Sequence, residues 1–166
     1  ARKHLFEHAQ GDWVLSIDSD LDFSGLESSW IESLIGYHTD RDACLTHALL
    51  IDGQGRIESA GGTIPPGGEH PAWHRFVGEH LSEHPEVLTD VPLCYAPGSF
   101  HFFHRSLLDV VTQDDQYFPA IFGDVDFCYQ ARAATGRDLW LYPSLQIRHN
   151  AHIWTASEGT RLDPTW

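Results

Sequence analysis

Apolar positions along the chain follow two periods. In residues 1–10 the side chains Leu5, Phe6 and Ala9 recur at helical spacing, and Gly11 closes the segment as a C-terminal glycine does. Residues 24–36 repeat that spacing through Leu26, Trp30, Ile31, Leu34 and Ile35, which predicts a helix with Ser24 as N-cap and Gly36 as stop. Residues 123–135 predict a further helix, with Asp124 and Asp126 in its first turn and Gly136 behind it. A short helix is expected over 105–111. The remaining apolar positions form runs that suit strands: 13–17 (WVLSI), 43–51, 56–59 after the turn Asp52-Gly53-Gln54-Gly55, and 91–103 with a break at Pro97-Gly98. Residues 139–142 and 145–148 read as two short strands around Pro143, the second ending at His149. Residues 61–84 read as a long loop, 118–122 as an aromatic loop, and the tail from Asn150 as irregular. No internal repeat is visible. Strands and helices alternate first and mix later, so the expected class is α/β with some antiparallel strands.

A length of 166 residues suits one domain, and 42% apolar content is that of a packed chain. The formal net charge of −14 argues against a nucleic-acid partner or an anionic membrane surface. An anionic substrate would need a bridging cation or a local patch of Arg and His. Cys44, Cys94 and Cys128 are scattered and odd in number, which favours a reducing compartment over a disulfide frame. No stretch approaches the ~20 apolar residues of a transmembrane segment, and no signal peptide is visible. The chain lacks methionine, so it is expected to be an excerpt of a longer protein.

The candidate chemistry is acidic. Asp18, Asp20 and Asp22 follow the 13–17 run at alternating positions. Clustered carboxylates lose hydration and repel one another, and a hard divalent cation such as Mg2+ or Mn2+ offsets both. The alternative is a strand running into a solvated acidic turn. The end of a strand in an open α/β sheet is also where ligands collect. Asp124 reads either as a helix cap or as a reactive carboxylate. His149 reads either as a strand-end surface residue or as a ligand.

Taken together, these segments resemble family 2 glycosyltransferases of the GT-A fold, of the polysaccharide or O-antigen type. ARKHLFEHAQGDWVLSIDSD is similar to the stretch leading into their metal-binding Asp-x-Asp motif. GSFHFFHRSLLDVV and YFPAIFGDVDFCYQARAATGRDLWLYPSLQIRHN are similar to the second half, and LLIDGQGRIESAGGTI to members acting on polysaccharides. The resemblance implies a mixed central sheet flanked by helices that lacks its N-terminal βαβ unit, which would lie before Ala1. Residues 1–60 would form a metal- and donor-binding part, and residues 91–150 an acceptor and base part. By position, Asp18 and Asp20 match the pair that holds Mn2+ or Mg2+ and the donor diphosphate, and His149 the late histidine completing the metal site. Arg2, Gly98 and Ser99 match donor-side positions. Asp124 matches the general base of inverting members, and Phe122 and Asp126 fall on the acceptor side, Asp126 as a structural or capping carboxylate. The sequence departs from the pattern at Gly123, where many members carry Glu, and at Lys3 and Leu5, where Asn and Gly are usual. No Gln-x-x-Arg-Trp is present, which argues against a processive synthase.

The resemblance implies a nucleotide-diphosphate sugar donor, a glycan or lipid-linked acceptor, and a cytoplasmic location, at the inner membrane face only through other parts or partners. The excerpt alone is expected to be inactive. Two rival classes stand beside it. A metal-dependent nucleotidyltransferase would want basic or Gly-rich phosphate loops, and none is visible. A degenerate or non-catalytic carbohydrate-binding domain would use aromatics such as Trp73, Trp154 or Trp166 as a sugar platform. Zinc binding through the twelve histidines lacks paired-Cys or His-Glu-x-x-His spacing.

Overall fold

The computed structural model describes residues 2–64, 72–112 and 122–150, with Arg2 and Lys3 placed by their backbone. The chain is mixed α/β with few helices. At its centre runs β3 (Leu45–Ile51), buried along nearly its whole length, as its apolar run requires. β9 (Leu139–His149) lies parallel to it on one side, and β8 (Phe100–His104) antiparallel on the other. Next to β8 comes β1 (Trp13–Ile17), and next to β9 comes β2 (Leu21–Asp22), both antiparallel to their neighbours. The order is therefore β1-β8-β3-β9-β2, with β4 (Ile57–Ser59) added on β3 and β7 (Pro92–Leu93) on β9. The strands β1, β3 and β9 point the same way, so their carboxyl ends share one edge of the sheet.

Each face of the sheet carries a core. On one face Leu45, Leu49, Leu139, Leu141 and Phe103 pack with Phe127, Cys128 and Ala131 of α3 (Gly123–Thr135) and with Phe6 of α1 (Arg2–Glu7). On the other, Ala48, Leu50, Phe100, Phe102, Leu145 and Ile147 pack with Leu34 of α2 (Trp30–Asp40). Leu141 and Leu145 are both odd-numbered yet face opposite cores. The cause is a bulge: Tyr142 pairs with Ala48 and Gln146 with Leu49, so residues 143–145 are extra. Pro143 cannot donate to the ladder and sits inside that bulge. The two strands expected around Pro143 are thus one interrupted strand.

Other expectations shift for local reasons. The second helix begins at Trp30, not Ser24, because the Ser24 amide donates to the Asp22 carboxylate at 2.9 Å and closes a turn. Gly36 lies inside α2 and does not end it. Residues 91–103 divide into β7 and β8, and the short helix after β8 is a 3-10 turn, Arg105–Asp109. The long loop of 61–84 carries a small two-stranded sheet, β5 (Gly62–Thr63) with β6 (Trp73–His74), and a 3-10 turn at Leu81–Glu83. A Cβ on Gly62 would sit 1.7 Å from the Tyr95 ring, so only glycine allows that buried tyrosine to lie against β5. Gly136 ends α3 as expected, at φ 68° with its amide bonded to the Arg132 carbonyl at 2.9 Å. Cys44, Cys94 and Cys128 are free thiols. Among the described residues, no helix is long and apolar enough to cross a membrane.

Candidate functional site

The candidate residues gather at the shared carboxyl edge of β1, β3 and β9. Residues 18–20 lead from β1, at one side of the sheet, to β2, at the other. They carry two carboxylates across the sheet end. The Asp18 amide donates to the Ser99 carbonyl at 3.1 Å, which extends the β1–β8 pairing by one step. The Asp20 carbonyl accepts from the Asn150 amide at 3.0 Å, and Leu21 pairs with His149. These backbone bonds bring His149 Nε2 within 3.3 Å of Asp20 Oδ1, both side chains mostly buried. Asp18, Asp20 and His149 each offer a ligand atom, and the three lie within 4.8 Å of one another. Two carboxylate oxygens and one imidazole nitrogen form a donor set that fits a hard or borderline divalent cation.

Asp22 is not part of that set. Its Oδ1 accepts the Ser24 amide, and the bonds from Ser24, first the hydroxyl and then the amide, hold its carboxyl below the usual range. The alternation of three aspartates therefore divides into two candidate ligands and one turn former.

Asp124 opens α3. Its Oδ1 accepts from the Val125 amide and its Oδ2 from the Gly98 amide, each at 2.9 Å. The short segment 97–99 thus touches both acidic groups, Asp18 through Ser99 and Asp124 through Gly98. Two buried histidines brace the same segment. His47 Nδ1 donates to the Phe100 carbonyl at 2.7 Å while its Nε2 accepts from the Ser59 hydroxyl at 2.7 Å. His101 Nε2 donates to the Ala96 carbonyl at 2.8 Å, with its ring stacked on Phe127. Burial holds the His47 imidazole down at about 3, against the Phe100 carbonyl and the more distant Asp124, which act to raise it. It is a neutral brace across the physiological range. Burial likewise lowers His74, on β6, with the Asp124 charge opposing.

Asp126 faces elsewhere. Its Oδ2 accepts from Gln130 Nε2 at 2.6 Å, and Gln130 binds the Thr112 backbone through both amide atoms, at 3.1 and 3.2 Å. That is a structural clamp on the chain before α3. Phe122 is exposed at the helix start. Trp73 stands 59% exposed on β6, a flat apolar surface of the kind that stacks on sugar rings. The Arg2 side chain, the rest of the aromatic loop at 118–121, Trp154 and Trp166 lie outside the described residues.

The sequence reading missed the bracing histidines. The available signal was a polar residue inside an apolar strand, His47 in LTHALLI and His101 in FHFFH. No family model matches the chain, and no curated protein matches it.

Proposed function

We propose that this chain carries the metal- and base-bearing part of an inverting, family 2-like glycosyltransferase of the GT-A fold, moving a sugar from a nucleotide diphosphate to a glycan or lipid-linked acceptor. One observation carries the reading: Asp18, Asp20 and His149 converge at the same sheet end as Asp124, with residues 97–99 between them. Asp18, Asp20 and His149 would hold Mn2+ or Mg2+, which supplies Lewis-acid stabilisation of charge on a leaving diphosphate. Gly98 and Ser99 border the donor sugar, and Arg2 belongs to the donor side. Asp124 takes the proton of the acceptor hydroxyl as that oxygen bonds to carbon one and the bond from carbon one to the diphosphate oxygen breaks. A single displacement inverts the anomeric centre. Phe122 supplies an apolar edge on the acceptor side.

The test is Mn2+-dependent release of nucleoside diphosphate by the intact enzyme, with donors screened across uridine and thymidine diphosphate sugars. Asp20→Ala should abolish it. Asp22→Asn, which touches only the turn, should leave most of it. Equal activity in Asp20→Ala and wild type would overturn the reading.

A further inference from the structure

A second cluster lies outside the sheet end, on the exposed side of α1. His4 lies in α1 and His8 four residues on, in the turn that closes the helix, with Glu7 as the last helical residue beside them. Their rings meet edge to face with centroids 4.4 Å apart, and His4 Nδ1 lies 3.6 Å from Glu7 Oε2. One ligand atom from each of the three falls within 4.8 Å of the others. His8 Nδ1 is 2.9 Å from the His4 carbonyl. A carbonyl only accepts, so Nδ1 carries the proton and the lone pair of neutral His8 is on Nε2. Fixing one imidazole nitrogen by a carbonyl, with the other left to ligate, is how metal-binding histidines are oriented.

We propose that His4, Glu7 and His8 form a site for a borderline divalent transition metal, Zn2+ in the first instance. The proposal is independent of the glycosyltransferase reading. Two imidazoles and one carboxylate match the three-ligand sets of zinc with an open fourth position for water. Ligands of one zinc ion, at about 2.0–2.2 Å each, sit closer together than this cluster does, and exposed side chains close that gap by changing rotamer. The nitrogen-rich set differs from the oxygen-rich one at Asp18, Asp20 and His149, so the two sites select different ions. The net charge of −14 raises the local concentration of any cation. Neither paired cysteines nor His-Glu-x-x-His marks this site in the sequence; its signal is His-x-x-x-His across the end of α1.

The site has a structural consequence. α1 has six residues, and helices so short are marginal without support. It places Phe6 against Phe103 and Phe127, with ring centroids 5.7 Å away in both cases. A metal joining His4 to His8 clamps the helical turn that holds Phe6 there.

Calorimetric titration of the full chain with Zn2+, in excess Mg2+, decides the matter. One Zn2+ equivalent should persist in Asp20→Ala and weaken by about 10-fold or more in His4→Ala and in His8→Ala. Zn2+ should raise the Tm of wild type and not of His8→Ala. The His4 and His8 side chains are both exposed, so circular dichroism should report a native fold in both variants. Unchanged Zn2+ affinity in the His4→Ala/His8→Ala double variant would overturn the site. So would the absence of Zn2+ binding to wild type, or loss of the Zn2+ equivalent in Asp20→Ala alone.

Discussion

Asp124 serves two backbone amides at once, and this sets what each substitution there does. Asn keeps an oxygen for the Gly98 amide, turns its NH2 toward the Val125 amide and loses the basic carboxylate. If Asp124 is the base proposed above, Asp124→Asn should lower turnover of the intact protein by about 100-fold or more, the usual size of a lost general base, in a protein that still folds. Asp126→Asn keeps an acceptor for Gln130 and should turn over at a near-normal rate. Steady-state rates on the two purified variants check this, and a reversed order would reassign the base. The residue scale is also where the sequence was hardest to read. Asp18, Asp20, Asp22, Asp124 and Asp126 are the same residue type at similar local spacings. What separates a candidate ligand from a turn former or a clamp is the partner: His149, the Ser24 amide or Gln130. Those partners are fixed by strand pairing and helix packing, which one-dimensional spacing does not contain.

At the scale of elements, the apolar run located β3 well, because a strand buried on both faces has no polar face to blur it, whereas the two-residue strands β2, β5 and β6 had no such run. The glycines were less legible. Gly36 is a helix stop by habit of sequence, yet it lies within α2, and a Cβ there would meet nothing within 4 Å. Gly36→Ala should therefore stabilise the fold by about 0.5–1 kcal/mol, through lower unfolded-state entropy and better helix propensity. Gly62→Ala should do the reverse. Its Cβ would collide with the ring of buried Tyr95, and overpacking of this kind costs about 1–3 kcal/mol. Urea midpoints of the two variants should move in opposite directions. The bulge in β9 escaped the sequence reading for a related reason. Pro143 marked an interruption, and only the pairing of Tyr142 with Ala48 and Gln146 with Leu49 makes it an insertion within one strand.

For the whole molecule, acid is the informative stress. His47 and His38 are buried, and burial holds them at about 3 and about 4, below the ordinary 6.5; for His38 the neighbouring His104 adds to the effect. Between about pH 6.5 and 4 the unfolded chain binds two protons that the folded chain excludes. The stabilisation is complete above pH 6.5 and declines as pH falls through that window, by up to about 1.4 kcal/mol per pH unit for each histidine. Urea unfolding between pH 7.5 and 4.5 should show the slope, and His38→Asn should reduce it. A flat profile would mean that the two imidazoles reach water.

The pairing of β3 with β9 also sets an order of events in time. Leu45 faces Leu139, and the bond from the Tyr37 hydroxyl to the Leu141 carbonyl spans 104 positions. Closing so long a loop must precede any reward from the contact, so the central parallel pair should form late and slowly. Until residue 139 is made, one side of β3 has no strand beside it. The strand with the longest buried run then spends synthesis as an open edge, the kind of surface that other chains add to. Aggregation during expression should therefore track how long the ribosome takes to travel from β3 to β9.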